Sequence, residues 1–132
     1  MLAYVLNGYH ILIRETMGIT YIDLEIANRG GDKTATRFLV DSGAGYSVLP
    51  LATWKALALI PERVVSVSLA DGRELKRNAS QCEFYLMDTK AFSPVILGEE
   101  GDEALLGAVT LENLGFVLNP LQRKLEKMQI RL

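Results

Sequence analysis

One short stretch of the chain joins an acidic side chain to the small residues that a reactive carboxylate needs around it. The apolar run Phe38-Leu39-Val40 leads directly into Asp41-Ser42-Gly43-Ala44. A strand would deliver the Asp41 carboxylate into this turn, where backbone groups and the Ser42 hydroxyl can hold it in a desolvated place. Gly43 lets other backbone approach closely because it has no Cβ. The tripeptide Asp-Ser-Gly alone is more typical of an ordinary turn, so the surrounding elements decide its meaning.

Other kinds of chemistry have little support in the sequence. The segment from Gly43 begins like a dinucleotide-binding loop, but Val48 stands where the last glycine is required. A nucleophilic Ser42 or Ser47 would need a histidine base, and the single histidine of the chain, His10, lies far upstream. One histidine also excludes a multi-histidine metal site, and the acidic run at 99–103 lacks the spacing of a calcium loop. We therefore expect no metal and no cofactor.

Length and composition predict a single small globular domain. The chain has 132 residues, of which 49% are hydrophobic and 23% are charged. The net charge of −2 provides no basic field for a phosphate backbone, so we expect no nucleic-acid partner. No stretch approaches the roughly 18 apolar residues that span a membrane, and the N-terminus lacks a cationic start and a cleavage site. These features favour a cytoplasmic protein without a membrane partner.

The dominant hydrophobic period is two, which indicates strands rather than helices. Apolar and acidic residues alternate over 22–26, within a strand predicted over 19–27. Cys82 alternates with Phe84 and Leu86 in a way that predicts a buried thiol. Asp71-Gly72 is a strong hairpin signal between two extended arms, although its return arm is polar and could move. We expect residues 17–132 to form the domain, with residues 1–16 as an extension that could add an outer strand. The remaining predicted elements are strands over 34–40, 46–49, 65–69, 82–86 and 95–97, a helix over 51–59 opened by Pro50 and stopped by Pro61, an acidic loop over 98–103, a helix over 108–114 closed by Gly115, and a final hairpin over 116–128.

Taken together, these segments resemble the retropepsin-like aspartic proteases, in the cellular branch related to retroviral proteases. The resemblance extends from about Met17 to Met128. It implies a mostly β fold, a small closed β-barrel with one or two short helices. Position by position, it implies that Asp41 is the catalytic aspartate, that Ser42, Gly43 and Ala44 support its loop, and that Ala70, Asp71, Gly72 and Arg73 form the tip of a flap over the substrate. The segments that carry the resemblance are Leu39–Ala44, Ser47–Pro50, Leu69–Arg73, Leu105–Gly107 and Leu111–Pro120.

The chemistry of this family needs two carboxylates that share one proton, since like charges about 3 Å apart cannot both ionise. The chain has a single Asp-Ser-Gly, and neither Asp71 nor Asp102 follows an apolar strand into a small-residue turn. A two-fold homodimer would supply the second carboxylate as another copy of Asp41. The sequence thus predicts a homodimeric aspartic endopeptidase acting on extended or unfolded polypeptide. The alternative is a dimeric peptide-binding or scaffold module of the same fold that has lost useful turnover.

Overall fold

The computed structural model describes residues 2–6, 9–16, 19–41, 43–119 and 124–132, and within these ranges the chain consists mainly of β-strands. The period-two pattern is therefore confirmed, with two short helices added. Ser42 and the predicted domain boundary at Met17 lie outside the described residues. In chain order the elements are β1 (Leu2–Leu6), β2 (Tyr9–Thr16), β3 (Ile19–Ala27), β4 (Lys33–Val40), β5 (Ser47–Leu49), α1 (Leu51–Ala56), β6 (Arg63–Ser68), β7 (Glu74–Leu86), β8 (Thr89–Leu97), β9 (Leu105–Leu106), α2 (Ala108–Asn113), β10 (Phe116–Asn119) and β11 (Lys124–Lys127).

A single large sheet closes on itself around the core. Its strands lie in the order β1-β2-β3-β4-β9-β5-β8-β7-β6, and β3 also pairs with β7. That additional pairing places Ile26 opposite Phe84 and completes a ring of strands, as a small barrel requires. The strands β10 and β11 form a separate two-stranded sheet.

The first two strands lie outside this ring. β1 and β2 pair as an antiparallel hairpin, and the end of β2 pairs with the start of β3, with Ile13 opposite Ile22. They extend the open edge of the sheet and take no part in its closure. The division into an extension over 1–16 and a domain over 17–132 stays a prediction.

The core consists of side chains that alternate along the strands toward the inside of the ring. The rings of Phe38 and Phe84 have centroids 5.7 Å apart and tilt against each other. Cys82 is fully buried among them, which confirms the prediction of an apolar thiol. Other members of the same core are Ile22, Leu24, Ile26, Val40, Leu49, Leu57, Leu59, Leu86, Val95, Leu97, Leu106, Leu111, Leu114, Phe116 and Leu125.

The first helix is shorter than the sequence predicts. It ends at Ala56 rather than Leu59, because Ala58 turns into the left-handed region with a φ of 53°. The amide of Leu59 donates to the carbonyl of Trp54 at 3.1 Å, which is the bond that terminates a helix before a left-handed residue. Pro61 is therefore not the stop signal. Neither α1 nor α2, the helices of the described part of the chain, is long and apolar enough to cross a membrane.

The hairpin of β6 and β7 projects from the sheet. The register pairs Ser68 with Glu74, so the loop spans residues 69–73, one residue more than the turn over 70–73 that the sequence predicts. Gly72 adopts a φ of 87° in that loop, and its amide donates to the carbonyl of Leu69 at 3.0 Å. No residue from 63 to 78 is fully buried. The hairpin is thus attached to the sheet at its base and open to solvent along its length.

Candidate active site

Asp41 lies where β4 ends and the chain turns. Its amide donates to the carbonyl of Leu106 at 3.0 Å, which continues the sheet by one more bond. Its carbonyl accepts from the amide of Ala44 at 3.1 Å, and its Oδ1 accepts from the amide of Gly43 at 3.0 Å. Carboxylate and backbone therefore hold the same turn, and the side chain is oriented by a backbone N–H donor.

The short strand β9 passes between the two strands that flank this turn. It runs parallel to β4, with Val40 beside Leu106, and antiparallel to β5, with Val48 beside Leu105. The loop from β4 to β5 is therefore held from behind by β9. The start of α2 adds two bonds to the same loop: the amide of Ala108 donates to Ala44 at 2.8 Å and that of Val109 to Gly45 at 3.0 Å.

Gly107 permits this close approach of two backbone segments. A Cβ at this position would lie 2.6 Å from the carbonyl carbon of Tyr46 and 2.7 Å from the carbonyl oxygen of Gly45. Both neighbours are backbone atoms, so they could not move aside as a flexible side chain would. A glycine at this point is therefore a condition for the aspartate loop to pack against the start of α2.

A buried set of three hydroxyls stabilises the same junction, and the sequence reasoning missed it. The hydroxyl of Thr110 lies 2.5 Å from that of Ser47 and 2.8 Å from that of Ser93. The Ser47 oxygen also accepts from the amide of Gly107 at 2.9 Å. All three side chains are buried, so each hydroxyl depends on these partners. The only sequence signal was the position of Ser47 beside the aspartate loop.

The surroundings of the Asp41 carboxylate differ from the expectation. We expected it to be desolvated, but in the single chain Asp41 is exposed. Among the described residues, the amide of Gly43 is the only donor within hydrogen-bonding distance of the carboxylate. The loop supports the side chain from one side and leaves the other side open. Ser42, the predicted hydroxyl partner, lies outside the described residues.

An open cleft of about 470 Å³ lies beside the aspartate loop. Gly43, Ala44 and Gly45 form part of one wall, and residues 65–68 of β6 form the facing wall. A second cavity of about 210 Å³ continues along the hairpin, and Arg77, Asp102 and Glu103 contribute to its wall. The residues that line both cavities are Val48, Val67, Ile96 and Leu105. The structure therefore brings Gly43 and Ala44 together with strand β6 of the hairpin. The full lining of the larger cleft is Gly43, Ala44, Gly45, Tyr46, Val48, Val65, Ser66, Val67, Ser68, Ile96 and Leu105.

The predicted flap residues lie at the tip of the β6–β7 hairpin. Asp71 accepts from the amide of Arg73 at 3.0 Å, and its carboxylate also binds the Arg73 guanidinium at 2.6 Å. Ala70, Asp71, Gly72 and Arg73 are all exposed and form no part of the cleft lining. The tip is therefore internally bonded and stands apart from the aspartate loop in the single chain.

The acidic loop after β8 forms hydrogen bonds and an ion pair with described residues of the chain. The amide of Glu99 donates to the Asp102 carboxylate at 2.7 Å, and the Glu99 carboxylate lies 3.3 Å from Arg77. These contacts agree with a solvated loop closed by its own side chain. Across the part of the chain that the structure describes, no cluster of three or more His, Cys, Asp or Glu could hold a metal ion.

Comparison with known proteins places the fold. No protein-family model and no curated protein matches the chain. Among solved structures, a retropepsin-like aspartic protease from Rickettsia conorii is 20% identical, with 83% of each chain covered and a TM-score of 0.56. The protease of simian foamy virus (mac) is 21% identical over 68% of this chain and 91% of its own, with a TM-score of 0.48. The likeness to the Rickettsia protein agrees with the closed sheet and the braced aspartate loop, and the chain therefore has the fold of the retropepsin-like aspartic proteases.

Proposed function

We propose that this chain is an aspartic endopeptidase that acts as a homodimer, with one Asp41 from each subunit. The observation that carries the proposal is the loop of Asp41, which β9 and α2 brace from behind and which leaves the carboxylate open beside a peptide-sized cleft. A loop that is rigid on one side and open on the other suits a group that must meet a reactant. The fold, shared with an aspartic protease, supports the same proposal.

The second carboxylate comes from a second copy of the chain. Asp71 is bound to Arg73 at the hairpin tip, and Asp102 closes the acidic loop, so neither is placed beside Asp41. In a two-fold dimer the same residue of each subunit meets its equivalent at the axis. An Asp41 that is exposed in the single chain is the arrangement expected of a residue that a partner covers.

The paired carboxylates would act as a general base and a general acid. One Asp41 takes a proton from a water molecule, and the water oxygen attacks the carbonyl carbon of the peptide bond. The other Asp41 gives its proton to the carbonyl oxygen, which yields a tetrahedral diol. Collapse of the diol breaks the C–N bond, and a proton passes to the departing amine. No covalent bond to the protein forms, which agrees with a Ser47 hydroxyl that is buried and bonded to Thr110.

The cleft suits an extended peptide. Val65 and Val67 present apolar side chains from β6, and the aspartate loop contributes small residues that leave room for backbone. A peptide lying in this cleft could form strand-like main-chain bonds with the hairpin, as extended ligands do at sheet edges. In this proposal the tip from Ala70 to Arg73 acts as a flap that closes over the peptide and excludes water.

Substitution of Asp41 tests the proposed activity. The purified protein is incubated with an unfolded polypeptide between about pH 4 and pH 7, and new amino termini are counted. We expect Asp41→Asn to abolish cleavage while thermal unfolding shows that the variant folds. Asp88→Asn, an exposed change on the turn between β7 and β8, is the matched control and should cleave like the wild type. Equal cleavage by wild type and Asp41→Asn would reject the proposal.

The alternative, a peptide-binding module without turnover, gives a different result in the same samples. Wild type and Asp41→Asn would then bind peptide equally, and neither would cleave it at any pH tested. Dilution tests the dimer: specific activity should fall as light scattering shows dissociation to monomers. Activity that persists unchanged in a verified monomer would contradict the shared site. The cytoplasmic location expected from the sequence stays part of this proposal.

A further inference from the structure

Arg63, which has no carboxylate partner among the described residues, lies next to the cleft residue Tyr46. The Arg63 Nη2 donates to the hydroxyl oxygen of Tyr46 at 2.7 Å, and its guanidinium carbon lies 5.6 Å from the centre of the Tyr46 ring. Tyr46 belongs to the cleft lining. The contact therefore connects the first residue of β6 with a residue of the cleft lining.

Strand geometry places Arg63 on the face of β6 that carries two of the cleft residues. Side chains two residues apart point to the same face of a strand, so Arg63 shares a face with Val65 and Val67. Both valines line the cleft. This face of β6 therefore carries two valines of the cleft lining, followed by a guanidinium just outside the lining.

The charge of Arg63 is not neutralised by the described part of the protein. The neighbouring carboxylate of Glu62 pairs with Arg29 at 3.7 Å. The residue opposite Arg63 in the hairpin register is Ala79, which carries no charge. No carboxylate of the described residues lies within salt-bridge distance of Arg63, and the cleft lining itself contains neither Asp nor Glu.

The partner of Arg63 also offers a donor. The arginine can only donate, so the Tyr46 oxygen is the acceptor in their bond and the hydroxyl hydrogen of Tyr46 stays available. A guanidinium and a phenol hydroxyl side by side match the two oxygens of a carboxylate. Backbone carbonyls of a bound peptide would accept from either group, but only an acidic side chain would also match the charge.

We propose that Arg63 and Tyr46 form a specificity site for an acidic side chain of the peptide substrate. The proposal rests on the peptide-cleaving function proposed above. In a two-fold dimer each subunit contributes one such site, so an acidic residue is favoured at equivalent positions on both sides of the cleaved bond. Arg63 acts in this account on substrate choice and not on the chemical step at Asp41.

The test compares peptides that differ only by Glu in place of Gln. A single Glu is moved through each position of an extended peptide series, and kcat/KM is measured against the Gln peptide of the same length. We expect one position on each side of the cleaved bond at which Glu is favoured by about 1.4- to fivefold, the range of an exposed charge pair. The preference should shrink as salt is added, because exposed charges are screened.

Substitutions assign this preference to the two residues. Arg63→Gln should bring the Glu-to-Gln ratio close to one, Arg63→Glu should reverse it, and Arg63→Lys should restore part of it. Tyr46→Phe should lower the ratio while Arg63 keeps its charge. Arg37→Gln removes an exposed arginine that pairs with Asp23 outside the cleft, and it should leave the ratio at the wild-type value. A ratio that Arg63→Gln leaves unchanged would overturn the proposal.

Binding to an inactive variant separates this proposal from the proposed function. The affinity of Asp41→Asn for the same Glu and Gln peptides is measured by calorimetry, with and without Arg63→Gln. If the wild type does not cleave but Glu is bound more tightly only when Arg63 is present, the endopeptidase proposal fails and the acidic site stands. If the wild type cleaves and both peptides are bound equally, the acidic site fails and the endopeptidase proposal stands.

Discussion

Asp41 and Cys82 are ionisable side chains in opposite surroundings. Asp41 is exposed at the end of β4, with its carboxylate bonded to the amide of Gly43. Cys82 is fully buried on β7, and burial raises the pKa of its thiol to about 12. Burial penalises the charged form, so Cys82 stays a neutral apolar group while Asp41 remains available for chemistry.

The raised pKa of Cys82 predicts a loss of stability at high pH. An ordinary thiol loses its proton near the value of 9.0, whereas the folded protein holds the proton until about pH 12. Between these values the unfolded state binds fewer protons, so this contribution to the free energy of unfolding falls by up to about 1.4 kcal/mol per pH unit as pH rises. Urea unfolding measures the free energy of unfolding of wild type and of Cys82→Ala. The amount by which the wild type is more stable should decrease above about pH 9. A difference that is constant with pH would contradict the burial of the thiol.

At the residue scale, some features could be predicted from the sequence and others could not. Alternation with Phe84 and Leu86 was enough to predict the burial of Cys82, because period two assigns faces of a strand. The exposure of Asp41 depends on what covers the loop, which a local pattern does not contain. The bond between Ser47 and Thr110 joins residues 63 positions apart, so no local signal announced it.

At the scale of elements, the aspartate loop depends on the hydroxyl of Thr110. This hydroxyl bonds to Ser47 on β5 and to Ser93 on β8, and all three are buried. We predict that Thr110→Val, which keeps the shape, lowers the free energy of unfolding by about 1–3 kcal/mol because two buried hydroxyls lose a partner. Thr34→Val, at a half-buried position of β4, is the control and should change stability little. Chemical denaturation of both variants measures the difference, and equal stabilities would show that the network contributes nothing.

The outer hairpin of β1 and β2 should be separable from the rest. The strands that close the ring are β3, β4, β9, β5, β8 and β7, and neither β1 nor β2 is among them. We predict that a chain starting at Met17 keeps its strand content and unfolds cooperatively, with a modest loss of stability where residues 13–16 no longer pair with 19–22. Circular dichroism and thermal unfolding provide the comparison with the full chain. An unfolded product would make the hairpin part of the domain.

The ends of some helices and strands could be predicted from the sequence, whereas others could not. The strand predicted over 19–27 is confirmed residue for residue, since a turn cluster of five residues, 28–32, with a glycine pair follows the alternation. The predicted end of α1 is wrong, because the helix ends before Ala58, whose backbone is left-handed, and not at Pro61. Alanine rarely adopts this conformation, so the sequence did not indicate it. β9 has two residues, too few for any periodicity, and tertiary pairing alone inserts it between β4 and β5.

At the scale of the whole molecule, one subunit provides a closed sheet, a braced loop and half of the proposed dyad. The cleft beside the loop is open, and the hairpin tip stands apart from it. Both features suit a subunit whose site is completed by a partner, because a symmetry axis brings equivalent residues together. A dimer depends on how two surfaces fit together, and a local sequence pattern does not describe such a fit. The sequence supports the proposed dimer only because one chain offers a single aspartate of the required kind.

Mixed dimers test this account most directly. Wild type and Asp41→Asn are combined at constant total concentration, allowed to exchange subunits, and assayed with one peptide. If each site needs both Asp41 side chains, activity follows the square of the wild-type fraction, and an equal mixture keeps about one quarter of the full activity. Activity that instead falls in direct proportion, to about one half in the equal mixture, would show that each subunit acts with its own Asp41 and would contradict the shared site.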